Sequence, residues 1–487
     1  MNDSIVSVVK VDYYRYPDSS EAFRPSIKYP EYLFEEVAKN ENVVYNSVRE
    51  ALHLLKMDEE NYGAVNWNPL KNVVKPNDYV LLKPNLVMDY NHNKNGGVEC
   101  LFTQPSVVAS VIDYVLIALK ETGKIVIGDA PMQECKFQKL VADCGYDKLI
   151  EYYRNKGIDI ELVDLRELKS VVKKGIYYSE INDKAIGIIV NLDENSEFYS
   201  EEEKTLLKMR VTNYDPRLMN LHHNKNKHEY NISNYVLNSN VIINIPKPKT
   251  HRKAGVTIAL KNFVGINVRK EFLPHHTKGG KNNGGDEYHN ENPIHSARSY
   301  LNDKKNICEA NYSYKKAKVY KYGIRICSIL LELMKNKYSE GSWYGNDTIS
   351  RTITDLNKIV LYADKNGVLH DSPVRKIFIL ADMIISGERE GPVAPSPKNV
   401  GIIAAGTNPV CFDEAICTIM GFDILKIPTL KRVRGVQNAY QIVDDMMTPL
   451  LVSNDIRYDK KHISELTRNN LLNYIPSTGW DGHIELS

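Results

Sequence analysis

The sequence predicts an α/β protein: a mainly parallel or mixed sheet with helices on both faces, and an inserted cap subdomain. Short apolar runs that end in Gly, Asp, Pro or Lys alternate with longer stretches of helical period, the pattern of strands feeding crossover helices. Residues 268–375 break the alternation, with Gly, Asn, His and Lys crowded into 274–295 and a Lys/Tyr-rich helical stretch after it.

Residues 1–74 are polar and irregular with some helix and read as an extension packed on the core. Tyr79-Val-Leu-Leu-Lys83 reads as a buried strand, and 105–120 as a helix with Pro105 in its first turn and apolar residues at 107, 108, 111, 112, 115, 116 and 119, because proline suits a first helical turn. Lys124-Ile-Val-Ile-Gly128 is the next strand. Such a unit favours a parallel crossover, and ligands of such sheets sit beyond the C-terminal strand ends. Those ends are Lys83-Pro84-Asn85 and Gly128-Asp129-Ala130-Pro131. Val241-Ile-Ile-Asn-Ile245 and the runs at 377–385 and 400–405 repeat the layout, and a helix follows over 414–420. The expected division is an extension over 1–74, core over 75–267, cap over 268–375, core again over 376–430 and a tail over 431–487.

The chain has 487 residues with 63 Lys+Arg against 61 Asp+Glu, a net charge of +2. No basic block provides the footprint of a nucleic-acid binder. Seven Cys without a C-x-x-C pair encode no disulfide framework, zinc ribbon or local iron-sulfur motif. The first ten residues lack the apolar stretch of roughly 7–15 residues that a signal peptide requires, and no stretch approaches the roughly 18 apolar residues of a spanning helix. No membrane span is expected, and the expected location is cytoplasmic.

The densest polar motif is Pro246-Lys247-Pro248-Lys249-Thr250-His251, followed by Lys261-Asn262 inside an apolar run. Two prolines fix the backbone and present Lys247 and Lys249 at a defined place, as an anion requires. Thr250 adds a hydroxyl and His251 a group that titrates near neutrality. A lysine between Leu260 and Phe263 must find a counter-charge or snorkel; the plainer reading is a basic loop. Asp129 reads as a metal ligand, a partner of Lys83, or a turn residue before Pro131. Asp347, Arg351 and Asp355 lie four apart, so on a helix they share a face. They form either an exposed ion-pair ladder contributing about 0.3–0.5 kcal/mol per pair or a site for an anion or a divalent cation. Asp382 and the carboxylates of Gly387-Glu388-Arg389-Glu390-Gly391-Pro392 read as metal ligands or a base, or as ordinary surface loop. Asp413 fits a structural role at a helix start. His275, His276, Asp286 and His289 lie in a Gly-rich segment that reads as a lid or a transition-metal site. Neither a dinucleotide fingerprint nor a P-loop occurs.

Taken together, Val80-Leu-Leu-Lys83-Pro-Asn85-Leu-Val87, Gly128-Asp129-Ala-Pro131, Ile245-Pro-Lys247-Pro-Lys-Thr250-His251, Ile258-Ala-Leu-Lys261-Asn262-Phe-Val-Gly265, Gly387-Glu-Arg-Glu-Gly391-Pro392 and Asn408-Pro-Val-Cys-Phe-Asp413 to Met420-Gly-Phe-Asp423 resemble the domain of unknown function 362 family. The resemblance implies no settled activity. Some members of that family carry ferredoxin-like clusters, whose cysteine runs are missing here, and the family usually shows Asp where this chain has Asn408. The segments 275–288 and 343–357 resemble a longer subgroup associated with bacterial cell-surface glycan gene neighbourhoods.

The leading expectation is a cytoplasmic enzyme that binds a phosphate- or carboxylate-bearing metabolite at the strand ends. Lys83, Lys247, Lys249 and Lys261 would bind it, Asn85 and Asn262 orient it, and Thr250 and Arg351 assist. His251, Lys261 and Asp382 are the catalytic candidates; Asp129, Glu390 and Asp347 are candidate ligands of a divalent cation. A protein partner in a biosynthetic pathway is also expected. The alternative is a non-catalytic binding or electron-transfer partner. The enzyme expects a deep mixed-charge pocket, the alternative an exposed apolar patch and no enclosed cavity.

Overall fold

The computed structural model describes residues 3–334, 336, 338–444 and 446–486. Its centre is an eleven-stranded sheet built from β1 (Ile5–Lys10), β2 (Tyr79–Pro84), β3 (Lys124–Asp129), β4 (Ile160–Asp164), β5 (Val241–Ile245), β6 (Lys249–His251), β7 (Gly255–Thr257), β8 (Lys376–Glu390), β9 (Ala394–Gly406), β10 (Leu450–Ser453) and β11 (Lys461–His462). The order is β11-β10-β1-β9-β8-β5-β2-β3-β4, with β6 and β7 as a flap on β8. Strands β8, β5, β2, β3 and β4 are mutually parallel, whereas β9 runs antiparallel to both β8 and β1. The sheet is therefore mixed, with a parallel half.

Alternation along the strands divides the core into two layers. Leu81, Val126, Ile242, Ile379 and Ile402 face one side and meet Ile349, Ile353, Leu356 and Ile359 of the Thr348–Tyr362 helix and Val410 and Phe412 of the Pro409–Met420 helix. Leu82, Ile127, Ile243, Phe378 and Ile403 face the other and meet Val44 and Val48 of the Val43–Leu54 helix and Val107 and Val111 of the Pro105–Leu119 helix. Both faces are covered, as a parallel sheet with continuous apolar strands requires.

Two features differ from expectation. The first residues are not merely an extension on the core: β1 sits inside the sheet, between β9 and β10, and β10 comes from the expected tail. Over the C-terminal strand ends lies a cap assembled from two segments. One holds the hairpin Leu168–Lys173 with Ile176–Ile181 and the strand Met209–Arg210. The other holds His276–Thr277, which pairs with Met209–Arg210, and the packed helices Pro293–Ala310 and Tyr314–Leu333. Short, half-polar strands, lacking the apolar runs of the core strands, concealed the first segment.

Candidate functional site

A cavity of about 370 Å3 opens between the ends of β2 and β3 and the cap. Its floor is a connected polar network. Lys83, fully buried at the end of β2, donates to Asp129 Oδ1 at 2.7 Å and to the Pro84 carbonyl at 2.9 Å. The second carboxylate oxygen of Asp129 accepts from the Leu86 amide at 2.6 Å. Burial drags Lys83 down from its ordinary pKa while Asp129 pulls the other way. Gly265 lies over this pair so closely that a Cβ would stand 2.1 Å from Asp129 Oδ1 and 2.9 Å from Lys83 Nζ. Only glycine lets the backbone lie there.

Asn85 and Asn262 extend the floor. Asn262 Nδ2 donates to Asn244 Oδ1 at 2.7 Å and to the Lys83 carbonyl at 3.1 Å, and its Oδ1 accepts from Asn85 Nδ2 at 2.9 Å. Lys249 donates from below to Asn85 Oδ1 at 2.6 Å and to the Leu101 carbonyl at 3.0 Å. No carboxylate faces it among the described residues, and burial, with Lys247 adding repulsion, pulls it down to about 7.

The wall carries cations in excess. Lys253, Lys261 and Lys270 line the cavity with Arg252. Lys253 donates to Thr212 Oγ1 at 2.9 Å, and Lys270 to the Ala130 carbonyl at 2.9 Å; among the described residues Lys261 Nζ has no hydrogen-bond or ion-pair partner. Burial, with repulsion from Lys270 and Lys253, pulls Lys261 down to about 7; burial likewise brings Lys270 to about 7 and Lys253 to about 8. Glu340 is the cap's carboxylate in this wall. Burial opposes its ionisation, but Arg298, Lys253 and Arg252 hold it down to about 2. Two buried atoms of the lining, Thr257 Oγ1 and Gln133 Oε1, have no partner among the described residues. Buried polar groups are ordinarily satisfied, so the lining offers unused hydrogen-bonding capacity.

Of the three histidines that line the same cavity, His92, His251 and His275, the last two stand in opposite tautomers. His251 Nδ1 accepts from the amides of Lys253 at 3.0 Å and Ala254 at 3.1 Å. An atom accepting amide protons carries none, so Nε2 holds the hydrogen and is a donor. His275 Nδ1 lies 2.7 Å from the Leu273 carbonyl, which only accepts. Its Nδ1 is thus protonated, and Nε2 offers a lone pair. Burial, then Lys261 for His251 and Lys253 for His275, holds both well below the ordinary histidine pKa. His251, expected as acid or base, is in this state a neutral donor.

Local structure delivers these groups. The short helix Ala259–Asn262 presents Lys261 and Asn262; Asp413, from the neighbouring Pro409–Met420 helix, accepts from the Ala259 amide at 2.8 Å and the Leu260 amide at 3.1 Å. Asn408 caps the Pro409–Met420 helix through the Val410 and Cys411 amides, a task Asp performs equally well.

Other expected site residues lie elsewhere. Lys247 and Asp382, both fully buried, form a second ion pair of 3.0 Å, closed by Tyr16, whose hydroxyl accepts from Lys247 at 2.6 Å and donates to Asp382 at 2.7 Å. Neither lines the cavity. Thr250 donates to the Arg389 carbonyl at 2.8 Å, and Glu390 accepts from the Thr478 amide at 2.8 Å. Arg351 pairs with Asp347 and Glu201, each at 2.7 Å, and Asp347 also binds Arg432. Asp355 forms no ion pair with Arg351, accepting instead from Ser196 at 2.6 Å, Tyr230 at 2.9 Å and the Glu197 amide at 2.8 Å. The expected metal set Asp129, Glu390 and Asp347 is thus dispersed, each carboxylate held by different partners. Among the described residues no group of three His, Cys, Asp or Glu could hold a metal ion. The Gly-rich segment does not gather His276, Asp286 and His289 either. Asp286 caps the Thr348–Tyr362 helix through the Thr348 amide at 2.8 Å and hydroxyl at 2.6 Å.

Sequence reasoning missed Lys253, Lys270, Gly265 and the role of His275. Lys253 directly follows the His251 motif, so its signal was adjacent. Lys270 sits in a polar stretch, and only the fold brings it under the cavity.

No curated protein and no solved structure matched this chain. The family described as Domain of unknown function (DUF362) matches residues 80–188 and 195–418, which cover β2 through most of the Pro409–Met420 helix and so every strand-end residue of the floor. The chain belongs to the DUF362 family.

Proposed function

We propose that the protein is an enzyme that binds a small phosphate- or carboxylate-bearing metabolite in this cavity, with Lys253, Lys261 and Lys270 neutralising its charge. The observation that carries the reading is Lys261, an unpartnered ammonium in a cavity wall that already holds two other lysines. Without a ligand these cations repel one another; an anion would relieve that repulsion and draw protons back onto them. Asn85 and Asn262 would orient the ligand above the floor.

In the chemistry, His251 would donate from Nε2 and His275 would accept at Nε2. A bound anion offsets the cations that hold His275 low, so occupancy itself would make it a better base. The dispersed carboxylates favour a reading that does not depend on a metal held by Asp129, Glu390 and Asp347. A cytoplasmic location and a place in cell-surface glycan synthesis are compatible with such a metabolite, and the latter rests on the family resemblance alone.

The test is a thermal-shift panel of sulfate, inorganic phosphate, sugar phosphates, nucleotide sugars and dicarboxylates. A ligand at about 100 times its Kd should stabilise the protein by about 2.7 kcal/mol. Lys261→Ala, folded by circular dichroism, should lose most of that response. Equal stabilisation of Lys261→Ala by every anion that stabilises the wild type would remove this assignment.

A further inference from the structure

The helix Tyr314–Leu333 turns an apolar stripe outward. Val319, Tyr322, Ile326, Ile329, Leu330 and Leu333 are 69%, 70%, 61%, 50%, 42% and 75% exposed. At 100° per residue they fall within an arc of about 100°, and at 1.5 Å per residue the stripe runs about 21 Å. The opposite face is the packed one: Ala317 and Leu331 are buried, and the helix lies on Pro293–Ala310. Both faces of this helix are therefore apolar, yet only one is covered. Scattered exposed apolar side chains are ordinary, whereas an aligned row marks a surface that another body covers.

The charge around the stripe is mainly positive. The helix carries Lys315, Lys316, Lys318, Lys321 and Arg325 against one acid, Glu332. The adjoining hairpin adds exposed Lys173 and Lys174 against exposed Glu180, with Val172 37% and Ile181 54% exposed; Lys321 reaches the Lys174 carbonyl, which places the two elements side by side. Tyr322 on the helix and Tyr312 in the turn before it are exposed. No described helix is long and apolar enough to cross a membrane.

We propose that this face of the cap docks on an anionic lipid bilayer, with the stripe dipping into the acyl boundary and the lysines reaching the headgroups. Charge complementarity selects this occupant: an apolar stripe flanked by lysines and tyrosines, with basic residues well in excess of the acids Glu332 and Glu180, is the pattern of a helix lying in an anionic interface, and lysine stems can lie along apolar surface while their heads stay in headgroup water. The inference is independent of the cavity reading, because none of these side chains lines the cavity.

The experiment is vesicle flotation of the full chain with phosphatidylcholine alone and with phosphatidylcholine mixed with phosphatidylglycerol. The wild type should float with the anionic vesicles only, and raised salt should release it. Ile326→Asp and Leu333→Asp, both at exposed positions, should each cut the floated fraction about tenfold or more. Lys315→Glu with Lys318→Glu should remove the preference for anionic lipid. Circular dichroism and an unchanged melting curve check that the variants fold. The proposal is overturned if the wild type ignores anionic vesicles, if it binds neutral vesicles equally, or if Ile326→Asp floats unchanged. Light scattering showing a dimer that Ile326→Asp dissolves, without flotation of the wild type, would give the stripe to a second copy of the chain instead.

Discussion

Two charged regions of this protein look alike in composition and differ in completeness. Along one face of the Thr348–Tyr362 helix the cations meet carboxylates: Arg351 meets Asp347 and Glu201, Arg432 meets Glu197 at 3.2 Å, and Lys358 meets Glu197 at 2.6 Å; buried Arg375, at the end of the helix, is satisfied instead by the carbonyls of Val360 and Ala363. Around the cavity, Lys83 alone is so matched, by Asp129, while Lys253, Lys261 and Lys270 make no ion pair among the described residues. The first region is finished within the chain. The second is left with cations unpaired among the described residues. Charge density alone therefore does not tell the two regions apart, whereas completeness of pairing does.

That contrast can be broken at several points. The largest effect is expected at the floor: Asp129→Ala strands Lys83 without its partner and should cost about 3–5 kcal/mol in urea unfolding. A loss under about 1 kcal/mol would mean that Lys83 sheds its proton or finds water, and that the floor is less closed than its geometry implies. Next is Gly265→Ala, whose new Cβ must push the Lys83–Asp129 pair aside. The expected cost is about 1–3 kcal/mol, together with a weakened thermal response to anions. Arg351→Ala should destabilise by about 1 kcal/mol, as loss of a partly exposed pair does, and leave the anion response intact. A lost anion response there would erase the distinction between the regions.

A pH measurement sharpens the comparison most. Lys261 stands at about 7 in the folded protein and near 10.4 when unfolded. Between those values the unfolded chain binds more protons, so this lysine makes stability rise with pH, and Lys261→Ala should flatten that slope. Ligand binding has the opposite sign. Sulfate keeps its charge from about pH 6 to about pH 9, so its stabilising effect should grow as pH falls and Lys261 and Lys270 take up protons. A sulfate response that is flat over this range would separate anion binding from these lysines.

The parallel half of the sheet was legible because β2, β3 and β5 are apolar runs, β5 broken only by Asn244, closed by Lys-Pro, Gly-Asp and Pro-Lys. β1 was not, although Ile5-Val-Ser-Val-Val9 is nearly as apolar, because the polar, turn-containing stretch after it runs to Val43 with no helix to show which sheet position it takes. Within the site, Lys83, Asn85, Asp129 and Asn262 could be grouped from their strand-end positions. Asp382 could not, since what occupies it is Lys247 together with Tyr16, 366 residues away in the chain. Helical spacing placed Asp347 and Arg351 on one face correctly, but spacing says nothing of what covers that face, which is Glu197, Glu201 and Arg432.

The position of β1 sets a timetable for synthesis. Ser7 donates to the carbonyl of Ala405, a separation of 398 residues, and the other neighbour of β1 is β10, made later still. At ribosomal rates the strand waits about 20–80 s for its first partner. During that interval Val6, Val8 and Val9 have no sheet to join, and a hydrophobic strand with free edges pairs with whatever is near. The middle of this sheet is thus sealed by segments that meet last, and chaperone dependence during translation should be decided by the first ten residues rather than by the long apolar helices.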